Sequence, residues 1–487
     1  MTAGLWALWG LVLPAHASRP TDNTGLYAFD PTDVVQSLDG PAGLVRVHYS
    51  VKGPNVVRDG DDDETWGGDG LPDFAQEVAA TAEDVLVLYQ ETGLRLPLSE
   101  AALGLPELGG SGALDFYLVD FDFTGDGQFG LDACQGSVCS GYMSMENDFQ
   151  GYGYSSISTA IRTLTSHELF HGVQYAYLDD LPGWMSEGTA MWSELHFDPE
   201  SDDFISWCDR YLEEPDRGLD RTPSGAFTGW EYGTGLFFGF LDLTLGSQTI
   251  VDLMEALADQ GGDGALDALD LAVTGAGSTM EEVWTTFGTW NLATGDRVGL
   301  IEGYPFAAEL AEVEPLTEGD SLVDDQRVYP LATAYLYIEH GGGELWFGTP
   351  DDPTGLALRL HPSTGDQQDP VDQALGTWWP DAPGALSLGD LDAGGYWLLL
   401  SQPGFGDSSI AIDYCLGDAD TLAACDLDGG GSDTGGDSGD DSGDPADEPG
   451  GCGCASGSAG AVGALSLLWP LLAIRRRRGT GVRQEGM

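Results

Sequence analysis

The chain has 487 residues and carries 81 acidic side chains against 17 basic ones, a formal charge of −64. So acidic a surface excludes a nucleic-acid binder that works by neutralising phosphates, and it suits a protein working outside the cell. Hydrophobic residues make up 42 % of the chain and include 14 Trp, enough for two or three packed domains.

Residues 1–17 read as a secretory signal. An apolar run at 5–13 leads to Ala15-His16-Ala17, an A-x-A cleavage pattern before Ser18, although no Lys or Arg precedes the run. Residues 44–51 alternate apolar and polar, as a half-buried strand does. Asp59-Gly60-Asp61-Asp62-Asp63-Glu64 with Asp69-Gly70-Leu71-Pro72-Asp73 forms one acidic loop, and Asp120-Phe121-Asp122-Phe123-Thr124-Gly125-Asp126-Gly127 forms a second. Clustered carboxylates with Gly suit calcium, but the spacing matches no EF-hand, and a solvated acidic loop is the alternative. Residues 72–92 read as a helix with Pro at its first turn. Residues 114–121 and 142–147 read as strands, and Cys134 and Cys139 are close enough in sequence for a small disulfide loop.

The next element organises the chain. Apolar Ile157, Ile161, Leu164 and Val173 recur at helical spacing over about 157–177, and within that helix lies His167-Glu168-Leu169-Phe170-His171. Four residues on a helix advance about 400° and rise about 6 Å, so the two His share a face one turn apart. Two neutral imidazoles so placed can hold one zinc ion, with Glu168 beside them to take a proton from water. A catalytic site needs a third protein ligand. The pattern with a third His six residues on fails, because Gln174 stands at its Gly position and Tyr177 at its His position. After the breaker Leu181-Pro182-Gly183 a second helix begins with Trp184-Met185-Ser186-Glu187-Gly188-Thr189-Ala190. Glu187 follows His171 by an interval long enough for one helix to end and another to return alongside. It is the candidate third ligand. Glu194, seven residues on and on the same face, is either a rival ligand or the carboxylate that orients a ligand His.

Trp184-x-x-Glu187-Gly188-x-Ala190, in order behind H-E-x-x-H, resembles the W-x-x-E-G-x-A helix of the aminopeptidase-type gluzincin metallopeptidases, with a slightly shorter connecting loop. The resemblance covers roughly 140–245. It implies a zincin-like fold, zinc held by His167, His171 and Glu187, and Glu168 as general base. Tyr232-Gly233-Thr234-Gly235 is similar to the family's Y-x-x-G segment, which implies an oxyanion-stabilising role for Tyr232; a buried Tyr at a helix start is the other reading. Met145-Glu146-Asn147 is similar to the end of a G-x-M-E-N strand, with Met143 in place of Gly. That implies a substrate-binding role for Glu146 toward a free amino terminus, against a strand-edge Glu with no role. In such peptidases the strand before the zinc helix lines the cleft, where an extended peptide can pair.

Residues 250–260 and 280–292 read as amphipathic helices, the latter with a capping box Ser278-x-x-Glu281. Cys208 has no local partner. From 328 to about 416 short β-rich runs alternate with Gly, Pro and Asp turns, which suggests an antiparallel sandwich, and Cys415 and Cys425 can staple its end. Residues 418–450 are an acidic Gly/Ser/Asp linker without the apolar content to pack. Residues 451–479 join Cys452-Gly453-Cys454, an apolar stretch long enough to span a bilayer, and Arg475–Arg478. This tail resembles the C-terminal sorting segment of myxobacterial exported proteins and implies delivery to the cell surface.

The expectation is therefore an α+β chain. A signal at 1–17 precedes a metallopeptidase domain over 18–320, with a small mixed sheet, an active-site helix and a helical lobe. An all-β sandwich over 328–417, the linker and the anchor complete it. The expected activity is a secreted or surface-anchored zinc endopeptidase acting on peptide or protein substrates. The alternatives are an aminopeptidase that uses Glu146, and a non-catalytic adhesin that keeps the fold.

Overall fold

A computed structural model describes residues 18–25, 27–57, 70–223, 229–299, 303–319, 322–364, 369–370, 373–406 and 409–425. The expected signal, the acidic loop at 59–64, the linker beyond 425 and the C-terminal segment at 451–479 lie outside the described residues. Among those described, no single helix is long and apolar enough to cross a bilayer.

The N-terminal region is mixed α+β. Its five-stranded sheet contains β1 (Val35–Asp39), β2 (Val45–Ser50), β3 (Leu114–Val119), β4 (Gly127–Gln135) and β5 (Val138–Glu146), in the order β1-β2-β3-β5-β4. β2, β3 and β5 run parallel, while β1 and β4 close the two edges antiparallel. β3 is buried at every position, which is why it reads as an almost continuous apolar run. The strand expected to line the cleft, 142–147, is the second half of β5, and it lies inside the sheet between β3 and β4. The edge next to the site belongs to β4, which the sequence reading missed. The Cys134–Cys139 disulfide closes the β4–β5 hairpin.

α1 (Asp73–Thr92) packs on β2 and on the next helix, and its buried Val78, Ala82, Val85 and Tyr89 form a stripe at helical spacing. It ends at Gly93, whose φ of 102° only glycine adopts cheaply. Then come α2 (Ile157–Tyr175) and α3 (Gly183–Phe197), followed by a helical lobe of α4 (Asp202–Leu212), α5 (Trp230–Gly233), α6 (Gly235–Leu245), α7 (Gln248–Gln260), α8 (Ala265–Gly275) and α9 (Met280–Leu292). The cap of α9 is Thr279, one residue later than the expected Ser278: its hydroxyl accepts from Glu282 N at 3.2 Å, and Ser278 instead donates to the Glu282 carboxylate. Cys208 is buried and free.

The chain then turns to strands: β6 (Thr317–Gly319), β7 (Leu322–Val328), β8 (Ala332–His340), β9 (Gly343–Thr349), β10 (Ala357–Thr364), β11 (Asp369–Pro370), β12 (Gly376–Trp378), β13 (Gly384–Leu391), β14 (Gly394–Gln402) and β15 (Ile410–Gly417). They form two sheets, β11-β10-β14-β8-β6 with β12 on β10, and β13-β9-β15-β7. Pairing is antiparallel except for the short β6–β8 contact. Leu336, Leu358 and Leu398 from the first sheet meet Phe347, Leu388 and Leu416 from the second in one core. The first residues of the expected linker form α10 (Ala419–Ala424), capped by Asp418 and tied back by the Cys415–Cys425 disulfide.

Candidate metal centre

α2 starts at Ser156, whose hydroxyl accepts from Thr159 N at 2.9 Å. Its middle turns are buried, and His167 and His171 lie one turn apart with ring centroids separated by 5.0 Å. The Tyr89 hydroxyl donates to Ser166 O at 2.6 Å, so α1 holds the backbone just before the first His. On the other side β4 runs beside this turn: a Cβ on Gly127 would meet Leu164 at 2.9 Å, and one on Gly172 would meet the Phe129 ring at 2.5 Å.

α3 supplies the third group. Trp184 is buried and stacked on Phe238 at 5.9 Å, and Thr234 donates to its carbonyl at 2.6 Å, which anchors the helix start. One turn further, Glu187 Oε2 lies 3.3 Å from His167 Nε2 and 3.6 Å from His171 Nε2. Donor atoms of His167, His171 and Glu187 all fall within 4.8 Å of one another, and all three residues are buried. This group could hold a metal ion. Its chemistry fits a cation: the donors are two nitrogens and a carboxylate oxygen, and His171 Nε2 is buried with no hydrogen-bond partner. A second cluster, Cys134, Cys139 and Asp179, offers no thiolates because its sulfurs are bonded to each other.

The surroundings fix the imidazoles. Glu194 Oε1 is 2.8 Å from His167 Nδ1, so Glu194 contacts the ring from the side away from Glu187. Gln174 Oε1 is 2.9 Å from His171 Nδ1. Burial alone would discharge His167, but the carboxylates of Glu187 and Glu194 outweigh it and hold its pKa well above the ordinary value. Burial pushes Glu187 up, and the two imidazoles more than reverse this, leaving it well below the usual carboxylate range. Glu168 is 5 % exposed, its Oε2 has no hydrogen-bond partner, and burial raises its pKa against the pull of His171 and His167.

The Tyr232 ring stacks on His167 with centroids 5.7 Å apart and planes 14° apart, so this residue lies beside the centre. Glu146 sits at the end of β5, 3 % exposed; its Oε2 accepts from Phe121 N at 2.8 Å and from the Tyr152 hydroxyl at 3.1 Å. Of the loop read as a calcium candidate, Asp120 Oδ1 accepts from Asp122 N at 2.7 Å and Asp126 Oδ2 from the Tyr154 hydroxyl at 2.6 Å. The loop is not among the converging donor groups of the described residues. Asp126 and Asp203 instead lie within electrostatic reach of His167. Burial raises both, Asp203 to about 6, and the charge on His167 opposes it. Gln174, Asp126 and Asp203 were not singled out for this role from sequence, since no local pattern marks them.

No family model matches the chain, and no curated protein matches it. Among solved structures, one titled as a crystal structure of FeII HppE in complex with substrate matches at 10 % identity over 38 % of this chain and 97 % of that one. Its TM-score of 0.10 is too low to carry an argument about fold or function.

Proposed function

We propose that the protein is a zinc-dependent metallopeptidase with a zincin-like catalytic region, exported from the cell and acting on peptide bonds within polypeptide substrates. The observation that carries this reading is the convergence of Glu187 Oε2 on both imidazole Nε2 atoms at 3.3 and 3.6 Å, with Glu168, whose Oε2 has no hydrogen-bond partner, on the same turn of helix. Two His and one Glu is a zinc donor set that leaves a position for water or substrate. When bound, zinc polarises a carbonyl and lowers the pKa of water toward neutrality.

The chain's own groups account for the rest. Glu168 takes a proton at Oε2 from the attacking water and passes it to the leaving amide nitrogen. Tyr232, whose ring stacks on His167, would donate toward developing charge on the carbonyl oxygen. Among the described strands β4 has a free edge along α2, where an extended peptide can add as a further strand. The buried Glu146 carboxylate, with Oε2 already taken by Phe121 N–H and the Tyr152 hydroxyl, favours internal cleavage over amino-terminal anchoring. The disulfides fit an oxidising location outside the cytoplasm.

Metal analysis and protein cleavage on wild type and two variants test the assignment. Glu168→Gln is expected to retain metal and lose about 10²–10⁴-fold in turnover. Glu187→Ala is expected to lose more than about 100-fold in metal affinity, beyond what disturbing a ligand's neighbours costs. Wild type that holds zinc yet cleaves no polypeptide, with Glu168→Gln indistinguishable from it, would instead favour an adhesin.

A further inference from the structure

Resting on the metal assignment above, we propose that Gln174 is a positioning residue for the metal. It fixes His171 in the Nδ1–H tautomer, so that Nε2 presents its lone pair beside Glu187, and it ties that imidazole to the first turns of α3.

The hydrogen-bond network determines which way the amide points. Gln174 Nε2 lies 2.7 Å from Ser186 O, which can only accept, and 2.9 Å from Thr189 Oγ1. The Thr189 hydroxyl spends its own hydrogen on Met185 O at 2.7 Å, so it too accepts from the amide. Both amide hydrogens are thereby used. Flipping the amide would set its oxygen against the Ser186 carbonyl, two acceptors in contact. Oε1 is therefore the atom facing His171 Nδ1 at 2.9 Å, and it also accepts from the Ser186 hydroxyl at 3.0 Å. A carbonyl oxygen cannot donate, so the hydrogen in the His171 contact belongs to Nδ1. In the neutral ring the other nitrogen then carries the lone pair. That nitrogen, Nε2, is buried, has no hydrogen-bond partner, and lies 3.6 Å from Glu187 Oε2.

His171 and Gln174 lie three positions apart along α2, which puts them on one helical face. The same amide reaches the backbone of α3 one residue before Glu187. A single side chain thus couples one ligand's tautomer to the placement of another. His167 is served differently, by the carboxylate of Glu194 at 2.8 Å. A neutral amide at 174 avoids adding another carboxylate to a site that already holds Glu168, Glu187 and Glu194, and it both accepts from His171 and donates to Ser186 O.

The test uses the full chain and reads imidazole ¹⁵N shifts in the metal-free protein, at a pH where His171 is neutral, together with zinc affinity by chelator competition. Wild type is expected to show His171 protonated on Nδ1. Gln174→Met is expected to admit the Nε2–H tautomer and to weaken zinc about 10–100-fold while its far-ultraviolet circular dichroism is unchanged. Gln174→Glu keeps an acceptor for Nδ1–H, so it is expected to hold zinc within about tenfold of wild type while melting lower, because its carboxylate faces the Ser186 carbonyl. Wild-type zinc affinity in Gln174→Met, or Nε2–H in the metal-free wild type or in Gln174→Glu, overturns the role of Gln174. Wild type with no zinc affinity overturns the metal assignment itself, and the role of Gln174 with it. If Gln174→Met fails to fold, the wild-type and Gln174→Glu tautomers still decide the matter.

Discussion

Arg19 is 2 % exposed, and its guanidinium is shared among three buried carboxylates: Glu100 at 3.1 Å, Asp132 at 2.6 and 2.9 Å, and Asp115. His48 reaches Asp115 at 2.8 Å from the other side. A buried charge cluster is worth little against an apolar replacement of the whole, but removing one partner strands the others. Arg19→Met should therefore destabilise the fold by about 3–5 kcal/mol. The loss should depend on pH. Burial already raises Asp132 and Arg19 opposes that rise, so in the variant the carboxylate's folded pKa climbs further above its unfolded value. A carboxylate raised in the folded state costs stability as pH climbs from its unfolded pKa through its folded one. The deficit should be larger at pH 8 than near pH 4, read from urea unfolding of both proteins; a deficit that grows on acidification would refute the account. Nothing in the sequence around Arg19 marks it, because its partners come from three separate stretches. The pair His167 and His171 was legible for the opposite reason, since the i, i+4 spacing alone puts both imidazoles on one face.

α3 is held by close approach at glycine. A Cβ on Gly188 would come within 2.4 Å of Thr234 Oγ1 and 2.7 Å of the Phe238 ring, so the residue after Glu187 must be small for α3 to lie against α5 and α6. This is a packing reason for the Glu187-Gly188 pair in the motif. Gly188→Ala gains helix propensity of about 1 kcal/mol but overpacks a buried contact, which costs about 1–3 kcal/mol and shifts the helix that carries Glu187. The expected outcome is a lower melting temperature together with weaker zinc binding; a variant more stable than wild type with unchanged metal affinity would show that the contact has room. α1, α2 and α9 were legible because their apolar positions recur at helical spacing along long segments. β4 was not: Gly127 and Gly130, with polar Gln128 and Asp132, dilute its alternation, and as an edge strand it needs less apolar surface. β1 is a largely exposed edge and escaped notice for the same reason.

Across the molecule, helices give way to strands after α9, from Thr317 onward, yet the core continues past that change. Tyr335, Tyr337, Trp397 and Leu399 of the first β-sheet belong to the same buried cluster as Trp284 and Phe287 of α9. Polar contacts follow the same seam. Trp284 Nε1 donates to Ala332 O at 3.1 Å, the Tyr335 hydroxyl donates to Gly288 O at 2.8 Å, and Leu219 N donates to Leu331 O at 2.9 Å. Arg297 lies 4.6 Å above the Trp397 ring. Alternation along β8 and β14 forecasts two-sided burial only if a second layer covers the outer face, and the sequence does not say that α9 supplies it. With that face shared, neither region can unfold without exposing the other's aromatic residues. Calorimetry on the metal-free protein should give one transition whose van't Hoff and calorimetric enthalpies agree. Trp284→Ala should cost about 3–5 kcal/mol and move that single transition as a whole. Two separated transitions, with only the first displaced by Trp284→Ala, would mean that the seam is a contact between independent folding units and that the α+β region draws no stability from the strands behind it.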